Sequence, residues 1–451
     1  MLAPLAWYDK QSEAYVPEKD GFAMGIHGIG PAPGEFMPAL DQYFQAMVAQ
    51  GASDFHLSSG NRPTFRIAGT ITVVGKEILT ADAVEKLIYE IIPERNRLEW
   101  EQTHDTDFAY DLEGAGRYRG NVFADSNGIG AVFRLIPSRI LSFEELGLPD
   151  SIKKLCFLQK GMVLVTGPTG NGKSTTLAAI IDFINEHRSN HIITIEDPIE
   201  FVHTNKKCLI NQREVHSHTD SFKRALRAAL REDPDIVLVG EMRDLETVRI
   251  ALETAETGHL VFGTLHTNSA HTTVDRLINQ FPADEQPQVR CSLAEGLRGV
   301  VSQALCKKKG GGRVAALEIM MSNYALAANI REGKLQQIPS FIQMGRKEGM
   351  CSLNDSLLEL LSKGIIEPAE GYQKAAAKDE LLKRMGALPN CRSPRGTPWT
   401  EEELLQAAEN PSAASAADEY GSGSGANRLP QPPSIRNGGI DEVESEPVVA
   451  R

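Results

Sequence analysis

Nine consecutive residues restrict this chain more than any others: Gly167-Pro168-Thr169-Gly170-Asn171-Gly172-Lys173-Ser174-Thr175. They fit G-x-x-x-x-G-K-[ST], the phosphate-binding loop. The apolar run 162–165 before them has the length of a buried strand, and residues 176–184 after them read as a helix. Strand, loop and helix is the context the motif requires. Its glycines permit positive φ, so that backbone N–H groups curl round an anion. The N-terminus of the following helix adds unpaired donors and partial positive charge. Lys173 is then placed to reach the β- and γ-phosphates of ATP, and the Ser174 hydroxyl to ligate Mg²⁺.

The residues around this loop set the fold class. Segments 192–195, 236–239 and 260–265 are continuous apolar runs separated by helical patterns, which predicts α/β architecture with a parallel sheet covered on both faces. Upstream, Leu40, Tyr43, Phe44, Met47 and Val48 recur at helical spacing up to Gly51. Short strand-like segments follow at 54–57, 64–67, 71–74, 106–110, 116–123 and 131–136, with a helix opening near Thr80, as in a small α+β domain. The expected organisation is a Gly- and Pro-rich extension at 1–36, an α+β domain at 37–138, a linker at 139–150, a phosphate-loop domain at 151–386 and a tail at 387–451. The phosphate-loop domain is expected to become helical from residue 324. The tail, rich in Pro, Ser, Gly and Glu, is expected to be disordered apart from a short helix at 401–408.

Composition excludes several function classes. The formal charge of −13 argues against nucleic acid as a partner, which wants a basic surface. The six cysteines form no C-x-x-C pair, so neither a zinc ribbon nor a redox couple is indicated, and reduced thiols are expected. The first residues lack the basic start and apolar core of a signal peptide. No apolar run approaches the roughly 20 residues that a transmembrane segment needs.

Binding a nucleotide is not hydrolysing it. Hydrolysis needs an acid or base near the γ-phosphate and neutralisation of charge there. Acidic residues end two strand-like segments: Glu196 and Asp197 in Ile195-Glu196-Asp197-Pro198, and Glu241 in Val239-Gly240-Glu241. In an open α/β sheet ligands gather at the carboxyl ends of strands. These acids either converge on metal and γ-phosphate or merely cap the next helix. Gly240 stands where an Asp often precedes the Glu. His266 ends the segment 260–265, where it either hydrogen-bonds a phosphate and senses hydrolysis or is a satisfied structural group. Lys223, Arg224, Arg227 and Arg231 form either a solvated helix face or a subunit contact across a nucleotide.

In these boxes and their order the chain resembles the hexameric ATPases of type IV pili and type II secretion, and among them the pilus-retraction motors of twitching motility. The resemblance covers residues from about 37 to 386. It rests on Gly51-Ala52-Ser53-Asp54-Phe55-His56-Leu57, the phosphate loop, an acidic box at 193–201, the strand ending in Glu241, and a histidine box at 258–267. The resemblance implies a PAS-like N-terminal domain, a RecA-like ATPase domain and a homo-hexamer with ATP at the seam between domains and subunits. It also implies ATP and Mg²⁺ as ligands, and an inner-membrane pilus platform protein and pilus machinery as partners. The implied location is cytoplasmic, peripheral to the inner membrane. By motif, Glu241 is similar to the catalytic glutamate and Glu196 to an acidic partner at water or metal. Arg119 and Arg134 resemble the N-domain arginines that reach the phosphates. The helical motif of the retraction motors, Ala-Ile-Arg-Asn-Leu-Ile-Arg-Glu, is matched by 325–332, where Ala327 replaces the first Arg and Asn329 the Leu.

Overall fold

The computed structural model describes residues 38–409 other than 68, 137, 138 and 390. The expected extension 1–36 therefore lies outside the described residues, as does the tail from 410. The chain divides into two compact units between Ile136 and Pro137.

The first unit is built on a six-stranded antiparallel sheet of β1 (Ala52–Ser58), β2 (Thr64–Ile67), β3 (Thr70–Val73), β4 (Asp105–Leu112), β5 (Gly116–Asp125) and β6 (Gly128–Ile136). Their order is β3-β2-β1-β6-β5-β4. Alternation sorts the two faces. Phe55, Phe65, Tyr118 and Phe133 are buried on one, where Phe44 of helix Leu40–Gln50 stacks on Tyr118 at 4.3 Å and meets Phe133 edge-on at 5.1 Å. That helix stops at Gly51, whose φ of 64° a glycine adopts without strain. The other face carries charge. Register sets Arg119 opposite Arg134, Arg134 opposite Asp54, and Asp54 opposite Arg66. Helix Glu94–Thr103 is not apparent from periodicity, because Trp100 is its one buried residue.

The second unit holds seven strands: β7 (Gly161–Thr166), β8 (His191–Glu196), β9 (Leu209–Glu214), β10 (Ile236–Val239), β11 (Leu260–Leu265), β12 (Leu297–Lys307) and β13 (Arg313–Met321). Their order is β13-β12-β7-β11-β10-β8-β9. All neighbours are parallel except β12 and β13, which form an antiparallel hairpin, so the sheet is mixed rather than wholly parallel. β7 and β11 sit centrally and are buried throughout, which is why they read as unbroken apolar runs. β9 is an edge strand with polar residues in it and gives no such signal.

Two segments depart from expectation. Residues 139–150 are not a free linker. Ser142 and Glu145 form a capping box for helix Phe143–Leu146, and the buried Phe143 packs on Phe183 at 4.9 Å. Leu148 and Ile152 join the same core, so this stretch is fastened to the second unit by its apolar residues. The tail contains the expected short helix, but that helix is docked rather than free. Helix Glu401–Glu409 buries Leu404, and Tyr372 donates from its hydroxyl to Glu401 Oε1 at 2.6 Å. Polar composition conceals this docking because Leu404 and Cys391 suffice to join a core already built by Leu357, Leu361, Tyr372 and Leu381.

Candidate active site

Parallel strands bring their carboxyl ends to one edge, and the site lies along that edge. β7 runs into the phosphate loop, with Gly167, Gly170 and Gly172 at φ of 145°, 79° and 79°. A Cβ on Gly167 would lie 2.4 Å from the backbone oxygen of Gln303, so this position admits only glycine. Helix Lys173–His187 follows, and no side chain caps its N-terminus. Its first N–H groups therefore remain available to an anion. Lys173 lies back across the loop, donating from Nζ to the carbonyl oxygens of Gly167 at 2.8 Å and Pro168 at 3.3 Å. Burial holds its pKa below the ordinary lysine value, against the opposing charges of Glu241 and Glu200.

β10 pairs with β8 and β11, so Glu241, Glu196 and His266 emerge at the same sheet edge. Glu241 Oε1 lies 2.9 Å from His266 Nε2 and 2.6 Å from Arg243 Nε. His266 Nδ1 in turn lies 3.4 Å from Thr169 Oγ1 of the phosphate loop. Phosphate loop, histidine and glutamate thus form one connected chain. Burial alone would favour the neutral form of Glu241, but Arg243 and His266 outweigh it and hold the carboxyl below its ordinary value. Glu196 shows the opposite balance. Burial pushes its pKa up despite hydrogen bonds from Thr194 Oγ1 at 2.6 Å and Gln212 Nε2 at 3.2 Å. The two carboxylates at this edge thus have pKa values driven apart by their surroundings.

Helix capping after β10 falls to Asp244, which accepts from Thr247 N at 2.9 Å, and so leaves Glu241 to His266 and Arg243. Gly240 has a steric reason: a Cβ there would approach Ile195 O to 3.1 Å and Glu196 Cα to 3.2 Å. Of the four basic residues, Arg231 lies beyond the helix, which ends at Ala229, and the other three are engaged in surface ion pairs. Lys223 and Arg227 converge on Glu246, and Arg224 pairs with Asp220. Arg119 and Arg134 belong to the first unit. There Arg134 Nε meets Asp54 Oδ1 at 2.8 Å, and Arg119 Nε lies 3.6 Å from Asp107 Oδ1.

Sequence reasoning missed several groups here. Arg243 sits two residues past Glu241, and its exposed type gave no cue. Gln303 and Ser302 interrupt the apolar run of β12, and a buried polar pair was the available signal. Ser302 Oγ lies 2.8 Å from Thr166 Oγ1 just before the loop. Thr273 Oγ1 donates to Thr166 Oγ1 at 3.5 Å and lies 2.6 Å from Thr267 Oγ1, next to His266.

Residues 33–338 match the family model described as "Type II/IV secretion system protein", and the chain belongs to that family. It is 53% identical over 326 residues to the type IV pilus retraction ATPase PilT of Pseudomonas aeruginosa, covering 72% of this chain and 95% of the relative. It is 48% identical over 320 residues to a twitching motility protein of Neisseria gonorrhoeae, covering 71% and 86%. A crystal structure of the pilus retraction motor PilT with bound ADP superposes with a TM-score of 0.72 at 46% identity, covering 77% of this chain and all of that one.

Proposed function

We propose that this chain is an ATP-hydrolysing motor that powers type IV pilus retraction, withdrawing pilin during twitching motility. The observation that carries the reading is the link from Glu241 through His266 to Thr169. A phosphate loop alone would bind nucleotide. This one is joined to a carboxylate kept in its charged, proton-accepting form. The names of the relatives and the ADP in the solved neighbour support the same reading.

ATP lies with its phosphates against the N–H groups of 167–175. Lys173 leaves the Gly167 carbonyl for the β- and γ-phosphates. Oxygen donors suit Mg²⁺, and the Ser174 hydroxyl would supply one; the ion would neutralise phosphate charge. Glu241 takes a proton from water as the water oxygen bonds to the γ-phosphorus. The bond from that phosphorus to the β–γ bridging oxygen breaks, leaving ADP and phosphate. His266 orients the carboxylate. Arg119 and Arg134, on the charged sheet face of the first unit, are assigned to the developing phosphate charge, a role for which a guanidinium fork is suited.

The assembly proposed is a homo-hexamer with a PAS-like domain at 37–138 and a RecA-like domain at 151–386. It works on the cytoplasmic side of the inner membrane against a platform protein. Among the described residues no helix is long and apolar enough to cross a membrane, so attachment through a partner fits. Ala327 and Asn329 in the retraction-type helix favour an accessory retraction motor as the second reading. Two experiments test the proposal. Glu241→Gln should retain ATP binding and lose most turnover, since the amide is near-isosteric but accepts no proton. Deletion of the gene should leave cells with excess pili that do not retract; bald cells would assign the motor to extension, and unaltered retraction would leave only the accessory role.

A further inference from the structure

β12 lies beside β7 with Ser302 opposite Thr166, so Gln303 falls alongside the start of the phosphate loop. Gln303 is 5% exposed, and both ends of its amide are engaged. Nε2 donates to the backbone oxygen of Asn171 at 2.6 Å, and Oε1 accepts from Thr176 Oγ1 at 2.8 Å. A carbonyl only accepts, so the Asn171 contact fixes which way the amide points. The next strand residues add to the hold: Leu305 N donates to Asn171 Oδ1 at 3.2 Å. The position of a Cβ on Gly172 lies 3.0 Å from Gln303 Nε2, so the loop runs directly over this side chain.

We propose that Gln303 is a positioning residue for the phosphate loop, aiming the Gly172 N–H at the anion. The proposal rests on the nucleotide reading above and deepens it. Carbonyl and N–H of a trans peptide point in opposite directions. Drawing the Asn171 carbonyl to Gln303 turns the Gly172 N–H away from β12 and into the hollow of the loop. The same amide grips Thr176 on the first turn of the helix, so one side chain spans the stretch that carries Lys173 and Ser174. A buried amide with two satisfied partners holds a single geometry, because either partner alone would leave a polar group unmatched.

Gln303→Glu in the full-length protein tests this. The carboxylate keeps the acceptor for Thr176 and loses the donor for Asn171. Protonation restores an O–H donor on a nearly isosteric group. ADP affinity by calorimetry, kcat, KM and thermal midpoint are measured between pH 5.5 and 8.5 beside the unaltered chain. The expected result is an affinity deficit that grows with pH to tenfold or more, a matching rise in KM for ATP, and kcat within about threefold, the pattern of lost uniform binding. A variant that binds ADP like the unaltered chain at every pH overturns the proposal. So does a deficit independent of pH that tracks a fallen thermal midpoint, which would make Gln303 a packing residue only. If Gln303→Glu does not fold, Thr176→Val must raise KM with kcat retained, and an unchanged KM overturns the proposal. An unaltered chain that binds no ADP removes the nucleotide reading and the proposal together, whereas tight binding by that chain confines any failure to Gln303.

Discussion

Glu241 shows how one side chain acquires a role from its neighbours. Burial would raise its pKa, yet Arg243 and His266 hold it low. A carboxylate base works above its pKa and fails as pH falls through it, so a lowered value extends turnover toward acid. Removing His266 removes one of the lowering influences. His266→Ala should therefore move the acid limb of the kcat–pH profile upward, and Arg243→Ala should move it further, since Arg243 is the larger influence. Profiles that superpose on that of the unaltered enzyme would show that another group sets the acid limb. Glu196 Oε1 is engaged by Thr194 and Gln212, whereas Glu241 is the carboxylate joined through His266 to the phosphate loop, so Glu196→Gln should lose less turnover than Glu241→Gln.

At the scale of elements, the charged row of the first sheet combines structure with the proposed catalysis. Asp54 is 5% exposed, and its pKa is lowered because hydrogen bonding and charge from Arg134 exceed the cost of burial. A depressed carboxylate stabilises the fold above its unfolded pKa, and that contribution is lost as pH falls through the folded value. Arg134→Ala should then lower the stability of the first unit by about 1 kcal/mol at neutral pH, discounted for the exposed guanidinium, and by less in acid. Arg119→Ala should cost close to nothing, because its ion pair with Asp107 is half exposed on both sides. Thermal unfolding at two pH values separates the two variants, and turnover by folded Arg119→Ala is then the cleaner reading of catalysis. The docked helix Glu401–Glu409 makes a second case. Leu404→Ala, at a fully buried position, should cost roughly 2–4 kcal/mol in the second unit. Ending the chain after Leu388 should give a lower thermal midpoint than ending it after Glu409. Equal midpoints for the two truncations would mean that this helix contributes no stability.

At the scale of the whole molecule, turnover requires every group to meet one nucleotide. If the proposed hexamer forms and Arg134 acts across its subunit seam, mixing Arg134→Ala with Lys173→Ala protein should recover activity in rings where an intact arginine faces an intact loop. Rings that stay inactive despite confirmed mixing would count against action in trans. The sequence alone determined the phosphate loop, because its chemistry resides in nine adjacent residues whose glycines and lysine do their work locally. It also determined the buried strands β7 and β11, since complete burial demands continuous apolar runs. Glu241 and His266 were legible as strand ends, but nothing local placed them 2.9 Å apart. Only the tertiary structure decided that contact, the grip of Gln303 on a loop 132 positions away and the docking of Leu404. Each depends on which surfaces meet when the sheet closes over its two cores. A hydrogen bond or a buried leucine is specified by its partner's position, and chain order does not carry that position.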